Sequence, residues 1–383
     1  MRKRQPQDAC QNPSVAAEAY GALPPGGCGC SADLKKVVCD GIVTETCSGD
    51  QACLSGECSD DPCGAATASK SSYGCDYWAL RPDVINAVEG SCFAAFVANT
   101  WTVPVHLEVS YQGQVISNAD FIQIPQGQGQ SLTYTPYDAA SGLPVGEVAA
   151  VFLGHDTAGN GLACPFAAAV DGTMGVKGTG FGEAFHITSD RPVVAYSILP
   201  YGGGSAQATS ASLLLPTSAW DTNYIATNAY AKTQTFGAGM PSLNILAHQD
   251  DTQVVILPGV DVVGGGGIAS TLANQPVIYM LNAGEYMQVS QPAELTGSPI
   301  QSDKPIGVWG AASCLSVPVD VQFCDSAHQQ IPPVRALGSS YAGVRYRNRA
   351  SAGGLDETPP WRLVGAVDGT TLTWLPGAPP GAP

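Results

Sequence analysis

The chain has 383 residues, of which 44% are hydrophobic, and its formal net charge at pH 7 is −16. The hydrophobic fraction is too high for a disordered chain, and 16 Lys and Arg residues are too few for a surface that binds nucleic acid or anionic membranes. We therefore predict no nucleic-acid partner and, since no apolar run approaches the roughly 20 residues of a spanning helix, no membrane span.

The two ends of the chain lack the features of complete termini. The first stretch, MRKRQPQDAC, is basic, but no apolar segment follows it, so an export signal is not visible. We treat residues 1–9 as a tail. The last stretch, LPGAPPGAP, stops without a closing element. We expect a fragment at both ends.

Residues 10–63 are predicted to form a cysteine-rich disulfide module. The segment is Gly-rich, has no apolar periodicity and contains Cys10, Cys28, Cys30, Cys39, Cys47, Cys53, Cys58 and Cys63. Small domains with too little apolar core use disulfides in this way. Zinc is the alternative, but paired C-x-x-C motifs are missing and the first 100 residues contain no His. We expect disulfides without a metal or other cofactor, hence an extracellular or outer cell-surface location.

The remainder of the chain is predicted to be all-β. It is rich in Gly and Pro, which mark turns, and the Val, Thr and Tyr residues between them favour strands. A long repeat is visible: ITSDRPVVAY from Ile187 recurs as IQSDKPIGVW from Ile300. Two later pairs follow in the same order. Pro216 and Tyr224 match Pro333 and Tyr341, and LNILAHQDDTQVVILPG (243–259) matches WRLVGAVDGTTLTWLPG (361–377).

These pairs predict a repeat of about 115 residues. The stretch FAAFVANTWTVPVHLEVSYQG (93–113) resembles the same hairpin and gives an earlier start. We predict β-sandwich-like units at 64–205, 206–310 and 311–383, the third truncated. A β-propeller is the alternative architecture.

The repeated Ser-Asp-Arg/Lys-Pro motif is predicted to be structural. Ser and Asp favour a turn, and the Pro should begin a strand that is apolar and buried on both faces. We expect Tyr224 and Tyr341 to fill equivalent core positions. The alternative is a ligand site that is used twice, supported only by the basic residue in each copy, Arg191 and Lys304.

Other candidate sites are weaker. The stretch GTGFGEAF (178–185) lacks the spacing of a dinucleotide loop and is interpreted as a flexible loop. His186 and His248 are interpreted as ordinary core or surface residues. The remaining candidates are a Cys324–His328 nucleophile pair, a calcium site at Asn244, Asp250 and Asp251, and a glycan-binding set of Trp220, Tyr224, Tyr230 and Trp309.

Three stretches resemble the IgG Fc-binding protein N-terminal domain family. They are GCDYWAL (74–80), AFHITSDRPVVAYSILPYGGGSAQATSASLLLPTSAWDTNYI (184–225) and CLSVPVDVQFCDSAHQQIPP (314–333). The resemblance runs from about Cys63 to the end, and the cysteine-rich head is like that of bacterial, myxobacteria-like members. It implies a secreted or surface-attached β-rich binding module and provides no catalytic residues.

In the light of this resemblance we expect a disulfide between Cys314 and Cys324, which flank a hairpin-like loop. Thirteen cysteines leave at least one free or paired outside the chain, and Cys164 is our candidate. We predict a non-catalytic binding or adhesion module for an extracellular protein or glycan, and no enzyme. A structural surface spacer or assembly protein is the alternative.

Overall fold

The computed structural model describes residues 27–159, 161–202, 208–228, 239–317, 324–345, 360–375 and 377–378. The predicted tail 1–9, Cys10 and Tyr230 lie outside these residues. Within them the protein is nearly all β, so the predicted fold class is confirmed. No helix in this part of the chain is long and apolar enough to cross a membrane.

The amino-terminal module consists of short strands and one short α-helix. Its elements are β1 (Cys28–Cys30), β2 (Lys36–Cys39), β3 (Ile42–Thr46), β4 (Ala52–Leu54), β5 (Glu57–Ser59) and helix α1 (Pro62–Ser69). Strands β1 to β3 form one antiparallel sheet, and β4 and β5 form a hairpin. Their own apolar cluster is small, namely Val37 with Cys47 and Cys53. A core of this size needs covalent links to be stable.

The first sandwich follows the module. The strands from this stretch are β6 (Gly74–Ala79), β7 (Phe93–Ala98), β8 (Leu107–Tyr111), β9 (Gln114–Val115), β10 (Ile122–Gln126), β11 (Thr133–Pro136), β12 (Val148–His155), β13 (Val170–Asp171), β14 (Gly180–Glu183), β15 (Phe185–Leu199) and β16 (Ser210–Leu214), with 3-10 turns at Asn86–Val88 and Gly129–Ser131. The long strand β15 joins the two sheets. Its first half pairs with β6 and β8, and its second half pairs with β7 and β16.

The second sandwich repeats this plan. Its strands are β17 (Asp221–Ile225), β18 (Pro241–Ala247), β19 (Thr252–Ile256), β20 (Val277–Leu281), β21 (Glu285–Ser290), β22 (Pro299–Leu315) and β23 (Asp325–Gln330), with 3-10 turns at Thr217–Ala219 and Val334–Ala336. The first part of β22 pairs with β17 and β19, and its later part pairs with β18 and β23. One strand crosses over, since β14 of the preceding unit pairs with β21.

The two sandwiches therefore correspond strand by strand. β6, β7, β8, β12, β15 and β16 occupy the positions of β17, β18, β19, β21, β22 and β23. Apolar side chains from both sheets meet between them: in the first sandwich the rings of Phe93 and Phe185 lie 6.2 Å apart. The architecture is a sandwich, as predicted, and not a propeller. The number of repeats stays a prediction.

The Ser-Asp-Arg/Lys-Pro motif lies at the bend of each long strand, where the pairing register shifts. The Ser189 hydroxyl donates to the carbonyl oxygen of Arg191 (2.7 Å), and the Ser302 hydroxyl donates to that of Lys304 (2.6 Å). The Asp that follows the Ser makes the same kind of hydrogen bond in both copies. Its Oδ1 accepts a hydrogen bond from the amide of the neighbouring chain segment, in the second copy that of Gln253 (2.8 Å).

Two details of the motif differ from the prediction. Pro192 and Pro305 lie inside β15 and β22, so the expectation that the Pro begins a strand is wrong. A Pro is tolerated there because the ladder is interrupted at the bend. The run after the Pro is buried on both faces only in the second copy, since Tyr196 of the first copy is 43% exposed.

Within the predicted third unit, the described residues after β23 form no strand. Tyr341 is 73% exposed, whereas Tyr224 is 2% exposed, so the expectation of equivalent core positions is wrong. The reason is the pairing scheme. In the second sandwich, the strands that correspond to this segment all pair with the long strand β22, and the described residues after β23 offer no such partner.

The predicted unit boundaries at 205/206 and 310/311 stay predictions. The strands interlock across both positions: β16 pairs with β15, and β22 runs from 299 to 315. Residues 155–159 and 161–182, which belong to a Gly-rich insertion before β15, lie at the junction between the sandwiches. This junction is where the candidate site is found.

Candidate functional site

The basic residues of the repeated motif are engaged by internal partners. Arg191 Nε donates to both carboxylate oxygens of Asp50 at 2.7 and 2.6 Å, which ties the amino-terminal module to the bend of β15. This hydrogen bond lowers the pKa of Asp50. Lys304 Nζ donates to the carbonyl oxygens of Asp250 and Asp251 at 2.5 and 3.1 Å. These contacts favour the structural interpretation of the motif over a ligand site that is used twice.

Disulfides join the cysteines of the described residues in pairs. The pairs are Cys28–Cys39, Cys30–Cys53, Cys47–Cys58, Cys63–Cys75, Cys92–Cys164 and Cys314–Cys324. Cys63 thus links the module to β6. The expectation that Cys164 is the odd cysteine is wrong, because the Gly-rich insertion folds back onto the start of β7. The Cys92 amide donates to the carbonyl oxygen of Leu162 (2.7 Å) in the same contact.

The insertion held by Cys92–Cys164 lines a polar cavity of ≈340 Å³. Its walls come from Arg81 and Asp83 after β6, from residues 86–91, and from the insertion at 155–159 and 172–177. Close packing shapes one wall. Gly175 has a φ of +79°, and a Cβ at this position would lie 3.1 Å from the carbonyl oxygen of Arg81. Gly is the residue that tolerates both conditions.

Two charged side chains are buried at this cavity. Arg81 is 8% exposed; its Nη1 donates to the carbonyl oxygen of Met174 (3.1 Å), and its Nη2 has no hydrogen-bond partner in the described structure. Burial lowers the pKa of Arg81, but an arginine remains protonated in proteins. Asp83 is 7% exposed, and its Oδ1 accepts no hydrogen bond although it lies 3.4 Å from Lys177 Nζ.

Further charged groups lie at the more exposed side. Lys177 Nζ is 3.8 Å from Glu89 Oε2, and Thr173 donates to Asp156 Oδ2 at 3.1 Å. The cavity therefore combines two cationic side chains, Arg81 and Lys177, with three carboxylates. Hydrogen-bond donors and acceptors are both present within one small volume.

The second sandwich holds the cavity in place. The Tyr286 hydroxyl donates to the carbonyl oxygen of Arg81 (3.0 Å), and the Asp83 amide donates to Gln288 Oε1 (3.1 Å). The Gln288 amide nitrogen donates in turn to the carbonyl oxygens of Val176 and Gly178, at 3.0 and 2.6 Å. Tyr286 and Gln288 are fully buried on β21. Hydrogen bonds of this kind fix the positions of site residues before a ligand arrives.

The Cys324–His328 pair does not have the arrangement of a nucleophile and base. Cys324 is bonded to Cys314, and a disulfide sulfur offers no thiolate. His328 lies in β23, is 6% exposed and stacks on Trp309 with ring centroids 6.2 Å apart. Burial lowers the pKa of His328 to about 3, so the ring is neutral near pH 7.

The calcium candidates are separated by the fold. Asn244 is fully buried in β18, whereas Asp250 and Asp251 lie in the turn that follows. Asp250 Oδ1 accepts a hydrogen bond from the Ala283 amide at 3.1 Å. Among the described residues, no group of three or more His, Cys, Asp or Glu side chains is placed to hold a metal ion.

The aromatic candidates pack in the interior. Trp220, Tyr224 and Trp309 are at most 2% exposed, and Tyr230 lies outside the described residues. His248 packs edge-on against Trp220, and its pKa is lowered by burial. This packing makes the three described aromatic residues part of the core and leaves them no surface for a glycan.

Two further predictions concern the first sandwich. His186 stacks on Trp78 with ring centroids 4.2 Å apart, which fits an ordinary packing role. The GTGFGEAF stretch contains strand β14, which pairs with β21, so the flexible-loop interpretation is wrong. The pairing partner comes from the next unit, about a hundred residues later in the chain.

The cavity residues were missed by sequence reasoning. Arg81, Asp83 and Lys177 lie in no recognised motif, and residues 81 and 177 are brought together only by the fold. The sequence did offer one signal for these residues, which is the scarcity of charged residues in this chain. Charged residues make up 13% of the chain, yet two of them stand together in the otherwise apolar stretch ALRPDVI (79–85).

Comparison with known proteins gives one family. The IgGFc binding protein family model matches residues 210–383, which contain strand β16 and the second sandwich from β17 onwards. Neither the search of curated proteins nor the search of solved structures found a significant match. The segment from Cys63 to residue 209, to which the sequence resemblance also extended, lies outside the matched range. Over residues 210–383 the resemblance is confirmed by this match to the IgGFc binding protein family model.

Proposed function

We propose that the chain is an extracellular or cell-surface binding or adhesion module, without catalytic activity, for a protein or glycan partner. The observation that carries this proposal is the cavity at Arg81, whose buried Nη2 and Asp83 Oδ1 are left without hydrogen bonds on a rigid scaffold. Loops and insertions on a fixed β framework are the usual place for recognition. The family match supports a binding role and, through its description, a protein partner.

The location rests on the disulfides. They link strands within the amino-terminal module, Cys92 to Cys164 of the Gly-rich insertion, and Cys314 of β22 to Cys324. Disulfides persist in oxidising compartments and are rare where thiols are kept reduced. Peptide mass mapping without reduction, on protein exported to such a compartment, tests this point. Free thiols at these positions would overturn the extracellular location.

A structural spacer is the second candidate function. The observation in its favour is the pairing of β14 with β21, by which one unit completes the sheet of the next. Units that share strands in this way can extend into a longer array. The spacer differs from a binding module in one respect: it requires self-assembly and needs no separable ligand.

One experiment separates the two functions. Size-exclusion chromatography with light scattering over a range of protein concentrations measures self-assembly, and the same protein is then immobilised and exposed to an IgG Fc fragment and to a glycan panel. A binding module is expected to be a monomer that binds at least one of these probes saturably. Open-ended assembly without saturable binding would replace the binding proposal by the spacer.

A further inference from the structure

The cavity at Arg81 carries hydrogen-bonding groups that the protein itself does not satisfy. Arg81 Nη2 is a buried donor and Asp83 Oδ1 a buried acceptor, and neither has a hydrogen bond in the described structure. Buried polar groups are normally hydrogen-bonded, and leaving one unpaired is costly. A donor without a partner, and an acceptor oxygen that has an ion pair with Lys177 Nζ at 3.4 Å but no hydrogen bond, therefore indicate a ligand that can both accept and donate.

The charged side chains that line the cavity disfavour the binding of a charged ligand. Arg81 and Lys177 contribute two positive charges, and Asp83, Glu89 and Asp156 contribute three negative charges, a balance of −1 (2 − 3). An anion would meet three carboxylates at short range, and a cation would meet the buried guanidinium group. A neutral ligand satisfies the donors and acceptors without adding a further charge to a partly buried site.

Among neutral ligands, a sugar ring offers hydroxyl groups at the highest density. Each hydroxyl donates one hydrogen bond and accepts others, so one ring can serve the Arg81 donor and several carboxylate oxygens. A peptide segment offers one backbone N–H donor per residue, which is too few donors for the oxygens of three carboxylates. Val84 and Met174 also line the cavity and offer apolar contact for the C–H face of a ring. The volume of ≈340 Å³ falls within the range of about 300–1,000 Å³ for small-molecule sites.

We propose that this cavity binds a neutral sugar residue. In this arrangement Arg81 Nη2 donates to a sugar oxygen, and the carboxylates of Asp83 and Glu89 accept from sugar hydroxyls. Tyr286 and Gln288 hold the cavity wall in position through the carbonyl of Arg81 and the amide of Asp83. This inference rests on the proposed binding function and narrows its partner to a glycan.

The test is saturation-transfer NMR on the exported, disulfide-bonded chain. The probes are glucose, galactose, mannose, fucose and N-acetylglucosamine, with acetate and N-acetylneuraminate as anionic probes and triglycine as a peptide probe. At least one neutral sugar is expected to bind saturably. Binding by the anions alone, by triglycine alone, or by none of the probes would overturn the sugar site.

Variants locate the binding. Glu89→Ala changes a side chain that is 45% exposed, so the fold should tolerate it, and Arg81→Met removes the open donor. Each is expected to weaken sugar binding about ten-fold or more, the effect of losing a hydrogen bond to a charged group. The control is Glu108→Ala on β8, an exposed carboxylate outside the cavity, with an expected change below about two-fold. Unchanged affinity in Glu89→Ala would contradict the proposed placement.

The failure of this inference can be told from failure of the binding function. If the parent chain binds Fc or a glycan in the panel and Glu89→Ala binds it equally well, the binding function stands and the sugar site falls. If the parent binds neither these partners nor any sugar, both proposals fall.

Discussion

The hydroxyl of Tyr286 donates a hydrogen bond to the carbonyl oxygen of Arg81 over 3.0 Å, although the two residues are 205 positions apart in the chain. Tyr286 is fully buried on β21 of the second sandwich, and Arg81 follows β6 of the first. The bond therefore crosses the junction between the sandwiches and reaches the wall of the cavity. A core residue of one unit thus positions the candidate site of the other.

We expect Tyr286→Phe to lower the free energy of unfolding by about 1–3 kcal/mol, because the buried carbonyl of Arg81 loses its donor while the packing is kept. Urea denaturation measures the change. The control is Tyr196→Phe, in a side chain that is 43% exposed, with an expected effect below about 0.5 kcal/mol. Equal unfolding midpoints for Tyr286→Phe and its parent would show that this bond adds nothing to stability.

Tyr224 and Tyr341 occupy matching places in the repeat but should respond differently to mutation. Tyr224 is 2% exposed, and its hydroxyl donates to the carbonyl oxygen of Ile306 at 2.7 Å. Tyr224→Ala should therefore cost about 3–5 kcal/mol, as other aromatic truncations in a core do. Tyr341 is 73% exposed, and Tyr341→Ala should stay within about 0.5 kcal/mol. Thermal or urea denaturation of both variants measures the difference, and similar losses would contradict the exposed placement of Tyr341.

The Cys92–Cys164 disulfide closes the longest loop of the described pairs, with a sequence separation of 72. Replacing both cysteines by Ala should cost about 4 kcal/mol in the chain-entropy account. Ligand binding at the cavity should weaken as well, because the insertion loses its anchor. The matched control is the double Ala variant of Cys28 and Cys39, which lie 11 positions apart in the amino-terminal module. Guanidinium denaturation and sugar titration give both readouts, and a cavity that binds unchanged without Cys92–Cys164 would refute the anchoring role.

His328 should make the fold sensitive to acid. Burial lowers its pKa to about 3 in the folded chain, from an ordinary value of 6.5 when unfolded. Above pH 6.5 the ring is neutral in both states and has no effect. Between pH 6.5 and about 3 only the unfolded chain binds the proton, so stability falls as the pH is lowered.

The variant His328→Phe removes this titration and keeps a ring against Trp309. We expect the variant to lose less unfolding free energy than the parent between pH 7 and pH 4.5, measured by urea denaturation at each pH. The control is Tyr196→Phe, which changes a 43% exposed ring and no histidine and should follow the parent. Parallel pH profiles for His328→Phe and the parent would mean that His328 does not bind its proton as described.

Local patterns in the sequence were sufficient for the fold class and for the existence of a repeat. Turn residues, strand propensities and the recurrence of Ile187–Tyr196 at Ile300–Trp309 depend only on neighbouring positions, so they can be read without a structure. The same holds for the family, whose motifs in residues 210–383 are contiguous stretches.

Other features depended on which segments lie side by side. The bend of β15 accommodates Pro192 because the ladder to β6 is interrupted there, and Tyr341 is exposed because no described long strand pairs with its segment. Cys164 pairs with Cys92 because the Gly-rich insertion folds back onto the start of β7. Arg81 and Lys177 both line the cavity, and the Tyr286 hydroxyl donates a hydrogen bond to the carbonyl oxygen of Arg81. Such long-range contacts depend on sheet pairing and packing, and no periodic pattern in the sequence records them. The sequence by itself therefore determined the class of scaffold, and the tertiary structure decided where the candidate cavity forms.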